Sequence, residues 1–460
     1  MKAHSMSETV ADAAVCSLLR GWLVAALAWC VLALAPAWAA PTIEHWVQPS
    51  GARVFLVSNA SLPMLDVQID LDAGNRRDPA HQAGLAAATA ALLRSGALAY
   101  GSRPELDENA LAEAWADLGA QFSASATRDR LSLRLRSLSQ PDLLQAAQDL
   151  LAQQLAVPAF APPVWQRERQ RWVARWRHSQ TEPDVLAEQL FTQAVYGSHP
   201  YGQLARPETW AAIEATDVRA FWQRHAQACL ARVTLVGDIS RARADALVQA
   251  LLAGWQAHGC SALPAVPEVP ALTQARGIEQ AFAVAQTQIL LGQPGLSRRN
   301  PDFMAFMVAN HILGGSGFSS RLMQEVRERR GLTYDIHSRF VPGRHAGAFQ
   351  VATTTEPQRA RAALELVQEQ VQRFVAEGPT AQELAHAQAT LINGFALRLD
   401  SNREQLEQVA AIAWHELPLD HLQTWSAQVA ALDAAQVRRA AQRVLQPERM
   451  VTVLFGSPAP

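Results

Sequence analysis

The chain of 460 residues carries 40 Lys and Arg against 42 Asp and Glu, a formal charge of -2, with 49% hydrophobic and 18% charged residues. That length exceeds what one hydrophobic core ordinarily fills, so more than one domain is expected, and the composition excludes a disordered chain. The near balance of charge argues against a nucleic-acid binder, which presents a basic face.

At the N-terminus, Lys2 and Arg20 precede the apolar stretch GWLVAALAWCVLALAPAWAA (21–40). Ala37-Trp38-Ala39 forms a small-x-small cleavage signature, and Pro41 and polar sequence follow. This is the layout of a secretory signal over residues 1–40, which makes the mature chain exported and, in a bacterial host, periplasmic. Glu8 and Asp12 in the long leading region leave retention as an uncleaved anchor open. Downstream no apolar run approaches the ~20 residues of a membrane span. Removing the signal leaves Cys229 and Cys260. An oxidising compartment allows them to pair, two unpaired cysteines satisfy the sequence equally well, and their spacing is not that of a zinc site.

RVFLVSNASLPMLDVQIDLDAG (53–74) reads as two strands joined by a polar turn, with period-2 alternation in the second. GLAAATAALLRSG (84–96) is a helix, and LDENALAEAWADLGA a second one closed by Gly119. QFSASATRDRLSLRLRS (121–137) is a hairpin or one long strand, and PDLLQAAQDLLAQQL an amphipathic helix. The basic run RERQRWVARWRH (167–178) follows a helical pattern and reads as a solvated face over buried Trp172 and Trp176.

DVRAFWQRHAQACLARVTLVGD (217–238) runs helix, loop, strand and Gly, and QVRRAAQRVLQPERMVTVLFGS (436–457) does the same. Val218 and Gly237 are separated as Val437 and Gly456 are, which points to an internal duplication. The Pro-rich stretch 258–277 reads as an extended linker. It divides the mature chain into 41–257 and 278–460, and AQTQILLGQPG, DFMAFMVANHILGG, AFQVATTT and QRARAALELVQEQVQRFVAEG repeat the scheme in the second half. The expected fold class is α+β: two homologous domains, each a mixed, mostly antiparallel sheet with helices packed mainly on one face.

The order GNRRDP, GLA, LLRSGA, LGAQFSASATRDRLSL, YGSHPYG, TLVGD, NHILGGSGFSSRLMQEVRERRGLTYDI and ELPLDHL resembles the pitrilysin/insulinase family of zinc metallopeptidases, the inverzincins. The likeness runs from about residue 43 to 456 and is most specific in SRL…VRERRGLTYDI. It implies the mitochondrial processing peptidase-like metallohydrolase fold, with paired domains closing like a clam shell around an unfolded peptide.

In that family the first domain carries H-x-x-E-H on a helix, two histidines holding zinc and the glutamate activating its water. Those positions fall here on Ala87, Ala88, Thr89, Ala90 and Ala91, and the downstream ligand position falls near Arg175. Both histidines and the base are missing, so the resemblance implies no zinc in this chain. None of the 13 histidines forms a substitute cluster. HELPLDH (415–421) has Leu419 where a second ligand would stand, and Pro418 interrupts the helix that the spacing needs. It reads as a turn between helices, with His81 in an exposed loop and His199 as packing.

In complete members an arginine and a tyrosine in R-E-x-x-G-L-x-Y face the zinc from the second domain. Here they are Arg327 and Tyr334. Composition alone would pair Arg327 with Glu325 or Glu328 and half-bury Tyr334, but the intact motif reassigns them to substrate binding and oxyanion stabilisation. The preceding loop, with Gly314, Gly315, Ser316 and Gly317, is expected beside the substrate cavity. The resemblance therefore implies a zinc-less subunit, inactive alone, whose partner is a homologous H-x-x-E-H chain that carries the zinc. The edge that holds peptide as an added strand in complete members corresponds to AQFSASATRDRL. The competing reading is a pseudopeptidase acting as scaffold or peptide-binding subunit.

Overall fold

The computed structural model describes residues 40–258 and 260–456; the apolar segment read as a secretory signal lies outside them. The first half contains strands β1 (Glu44–Val47), β2 (Arg53–Ser58) and β3 (Met64–Leu71), then α1 (Leu85–Leu92). The short pair β4 (Gly96–Ala97) and β5 (Leu106–Asp107) leads to α2 (Glu108–Asp117) and the hairpin β6 (Gln121–Ala126) and β7 (Leu131–Leu138). Helices α3 (Pro141–Ala156), α4 (Pro162–Ser179), α5 (Pro183–Tyr196), α6 (Pro207–Ala211) and α7 (Ala215–His225) precede β8 (Arg232–Gly237) and α8 (Arg241–Leu252). The second half contains β9 (Arg276–Gln280), β10 (Thr287–Pro294), α9 (Phe303–Asn310), β11 (Ile336–Phe340) and β12 (Ala348–Thr355). It ends with α10 (Ala360–Glu377), α11 (Ala381–Phe395), α12 (Asn402–His415), α13 (His421–Ala430), α14 (Ala434–Val444) and β13 (Val451–Phe455). Among the described residues no helix is long and apolar enough to cross a membrane.

The duplication is visible in the sheets. The first has the order β1-β2-β8-β3-β7-β6 and the second β11-β12-β10-β13-β9. Read from β2 and from β9, the two follow the same path. The two strands of residues 53–74 are not neighbours: β8 lies between them, parallel to β2 and antiparallel to β3. β13 likewise separates β9 from β10. The physical reason is burial, since every residue of β8 is buried and an apolar run of that kind is stable only with a neighbour on both edges and cover on both faces.

Alternation along β3 divides its side chains between two environments. Leu65, Val67, Ile69 and Leu71 enter one core with α1, α3, α7 and α8. Asp66, Gln68 and Asp70 point the other way and are buried too. They are satisfied by a polar ladder from β7 and its turn: Arg136 Nε to Asp66 at 2.7 Å, Arg134 Nε to Gln68 at 2.7 Å, and Arg130 Nη1 to Asp70 at 3.0 Å. A buried carboxylate needs such partners, because desolvation of the unpaired ion is costly.

What covers that second face is a helix from the other half. α12 packs on β8 and β3, and reciprocally α5 packs on β10 and β13. The two helices occupy equivalent places in the repeat. Ala187, Phe191, Ala194 and Val195 of α5 share a core with Leu290, Val451, Val453 and Phe455. From Thr42 onward the chain is accordingly one compact unit. Pro at the first turn starts α5, and a Ser401–Glu404 capping box starts α12, so each exchanged helix has its own entry signal.

The segment joining the halves is extended but held. Ser261 N donates to Gln227, His199 Nε2 meets the Pro267 carbonyl at 2.9 Å, His345 meets Glu268 at 3.0 Å, and Arg77 donates to the Pro264 carbonyl. Cys229 and Cys260 form a disulfide across 31 residues of sequence. Closing a loop of that size in the unfolded chain is worth about 3.7 kcal/mol. Reduction, or the Cys229→Ser/Cys260→Ser pair, is therefore expected to lower the urea midpoint by that equivalent, and an unchanged midpoint would mean the bridge adds nothing.

Candidate functional site

α1 carries Ala87 to Ala91, the positions that correspond to H-x-x-E-H. Its N-terminus is capped by Asp78, whose carboxylate accepts from Gly84 N at 2.8 Å and Ala86 N at 2.9 Å. Burial pushes that carboxyl up to about 7 against the pull of these N–H groups. Ala87 and Ala91, one turn apart, are half-exposed, whereas Ala88, Thr89 and Ala90 are buried. The i, i+4 face is thus presented outward, and it carries two methyl groups. Thr89 Oγ1 is committed to the Leu85 carbonyl at 2.9 Å. Arg175 is exposed on α4, which packs beside α1; a guanidinium offers no lone pair to a cation. These positions do not fit zinc. Among the described residues no group of three or more His, Cys, Asp or Glu is arranged to hold a metal.

The tryptophan run of α4 and the histidines of the turns have structural roles. Trp172 and Trp176 pack half-buried against the core, Trp172 edge-on to Trp165 and Trp210. α12 ends at His415, Glu416 takes a left-handed conformation, and α13 begins at His421, so HELPLDH is a turn between helices. Glu416 accepts from Arg53, Arg232 and Arg299. Burial works against its ionised form, but the Arg232 hydrogen bond and the neighbouring positive charges hold its carboxyl below the usual range. His81 is exposed in a short turn, and buried His199 accepts from Tyr201 N at 3.1 Å.

The second-half motif is built differently. After α9 the helix widens into a π-helical turn, His311–Gly315, and a second π-helical turn, Met323–Glu328, carries Arg327. Such widened turns recur at functional sites because they re-aim side chains. Gly314 is buried: a Cβ there would stand 2.5 Å from Ser338 N on β11. Gly315 and Gly317 are exposed and Ser316 half-exposed. Gly317, at φ +59°, has open space around it.

Arg327 lies between two aromatic rings, 4.8 Å from the centre of Phe318 and 5.0 Å from that of Tyr334. Among the described residues its one paired carboxylate is Glu328, 3.5 Å from Nε, and Glu325 pairs with Arg329. Tyr334 is 78% exposed and Phe318 68%. Folding alone leaves such rings unexplained, since hydrophobic burial gains nothing from them. The stack holds the guanidinium by cation–π attraction and leaves the tyrosine hydroxyl without a partner among the described residues.

Tyr334 stands two residues before β11, which among the described residues is a sheet edge paired only with β12; β6 is the corresponding edge of the first sheet, paired only with β7. Both offer free backbone N–H and C=O groups to an added strand. Phe318, which stacks on Arg327 from the glycine-rich loop, escaped the sequence reading. Its signal was a large apolar side chain among glycines and serines.

The insulinase (peptidase family M16) model matches residues 53–208, and the peptidase M16 inactive domain model matches residues 212–391. A solved peptidase M16 inactive domain from Pseudomonas fluorescens is 31% identical, with a TM-score of 0.84, covering 90% of this chain and 97% of that one. An uncharacterized zinc protease of Streptomyces coelicolor is 25% identical over 288 residues, 60% of this chain; the match spans 61% of that protein's length. A non-peptidase homolog from Helicobacter pylori is 23% identical over 403 residues, 84% of this chain and 87% of that protein.

Proposed function

The chain belongs to the insulinase family of peptidases, family M16, and we propose that it is the zinc-less subunit of a two-chain zinc metallopeptidase. A homologous H-x-x-E-H partner carries the zinc and the general base, and this chain supplies Arg327 and Tyr334. The observation that carries this reading is the contrast between two faces. The α1 face has no donor atom, while Tyr334 is exposed and stacks on a half-buried Arg327 whose one close carboxylate among the described residues, Glu328, is its neighbour in sequence. A scaffold has no use for a tyrosine hydroxyl kept in solvent.

In this role the Tyr334 hydroxyl donates a hydrogen bond to the oxyanion that develops on the scissile carbonyl. The Arg327 fork holds a peptide carbonyl or carboxylate, its direction fixed by the Phe318 and Tyr334 rings. Gly315, Ser316 and Gly317 give the peptide backbone room to approach, and Gly314 lets their loop lie close on β11. The Cys229–Cys260 disulfide supports an exported, periplasmic chain, since such bonds persist in oxidising compartments.

The test is an assay of this chain, of a homologous H-x-x-E-H chain and of their mixture on an unstructured peptide with zinc present. Activity is expected only in the mixture. Full activity of the H-x-x-E-H chain by itself would remove the reading. Peptide binding by this chain with no gain in the mixture would favour a non-catalytic, peptide-binding pseudopeptidase.

A further inference from the structure

Between the halves lies a cavity of about 430 Å³, which neither Arg327 nor Tyr334 lines. Its walls come from the turn after β6, from α5, from the end of β11 and from the end of α12. Most of its charges are neutralised in place. Arg339 pairs with Glu188 at 2.7 Å, Arg130 with Asp70 at 3.0 Å, and Asp129 with Arg76 at 3.1 Å.

Arg128 is the exception in the lining. Its guanidinium reaches the Tyr196 hydroxyl at 3.3 Å and lies over the Tyr196 and Tyr201 rings, with no carboxylate paired to it among the described residues. Arg344, outside the lining but next in sequence to the lining residue Gly343, is a second cation with no paired carboxylate among the described residues. Its backbone N–H donates to Asp129, and its guanidinium lies 5.2 Å from the centre of the Trp414 ring. Arg130 and Arg232 stack on the same indole at 5.8 and 5.1 Å.

Two buried polar atoms beside these cations also have no partner: Nε1 of Trp414, a residue only 2% exposed, and Nδ1 of His415. Burial, and then the charges of Arg298, Arg130 and Arg344 against the opposing pull of Asp129, hold His415 down at about 4. The region is electropositive, and part of its donor capacity is unspent. Buried donors in native proteins are normally matched by protein, water or ligand.

We propose that this cavity is a binding site for a small organic carboxylate, its oxyanion held by Arg128 in the lining and by Arg344, whose guanidinium lies on the lining residue Trp414, and its apolar body laid against Val341 and Pro342. The planar guanidinium fork matches a carboxylate, the exposed Val341 side chain in the lining matches an apolar body, and the volume is that of a small-ligand site. Arg128 belongs to the first half and Arg344 and Trp414 to the second, so the ligand bridges the halves and stabilises the fold by mass action. This site is independent of the peptidase reading.

The probe is sodium benzoate, compared with its neutral counterpart benzyl alcohol and with sodium chloride at equal ionic strength. Binding is followed by calorimetry and thermal shift on the mature chain. Benzoate is expected to bind saturably and raise Tm, benzyl alcohol to bind at least tenfold more weakly, and Arg128→Gln and Arg344→Gln each to weaken benzoate at least tenfold. The His415 imidazole should titrate at higher pH when benzoate is bound. Equal binding of benzoate and benzyl alcohol, absence of saturable benzoate binding, or unchanged affinity in both variants would overturn the proposal. Should a variant lose its fold, the two probes on the unaltered chain decide the matter.

Discussion

Tyr334→Phe is expected to lower the kcat of the proposed two-chain enzyme by about 10²–10³-fold, the loss typical of removing one oxyanion donor. The ring is 78% exposed and stacks on Arg327. Phenylalanine keeps that stack, so the arginine stays aimed and the thermal midpoint of the chain should not move. Because the hydroxyl acts on charge present only in the transition state, kcat and kcat/KM should fall together with KM unchanged. Arg327→Ala should differ by raising KM, since in the proposed role the fork also grips the ground-state peptide. Steady-state kinetics on the mixture separate the two, and wild-type turnover in Tyr334→Phe would end the assignment.

Phe191→Ala is expected to cost about 3–5 kcal/mol, the range for emptying a buried aromatic site, and to do so in both halves at once. Phe191 is 1% exposed on first-half α5, yet its neighbours are second-half strands. The ring lies so close to β10 that a Cβ at Gly292 would stand 2.9 Å from its Cζ. Trp165, Trp172, Trp210 and Trp222 all belong to the first half, so fluorescence reports mainly there, while far-UV circular dichroism reports on both. The urea transitions by the two probes should coincide and shift together. Separate transitions, with fluorescence unmoved, would show that the exchange of helices does not couple the halves.

Local pattern explains what could be read in advance. Alternation in MLDVQIDL marked β3, Gly119 marked the end of α2, and matched spacing around Val218 and Val437 exposed the repeat. These signals sit within a few residues of what they specify, or recur at a fixed distance. Partnership is a different kind of information. Nothing in PDVLAEQLFTQAVY says which sheet its apolar stripe will cover, and the stripe would suit either. The acidic face of β3 was equally silent, because Asp66 and Asp70 look solvated until Arg136 and Arg130 arrive from another strand. At the candidate site, Arg327 and Tyr334 were visible through their motif. Phe318 and the lone Arg128 gain meaning only from what lies next to them in space.

The reciprocal placement of α5 and α12 also restricts how the molecule can move. Parting its two sheets would peel each helix from strands of the opposite half, exposing Phe191, Trp414 and the acidic ladder together. An excursion of that size is equivalent to unfolding, so it is too costly to serve as a gate. Within a two-chain peptidase this chain would act as one stiff jaw, and admission of a peptide would be set by how far the jaws stand apart.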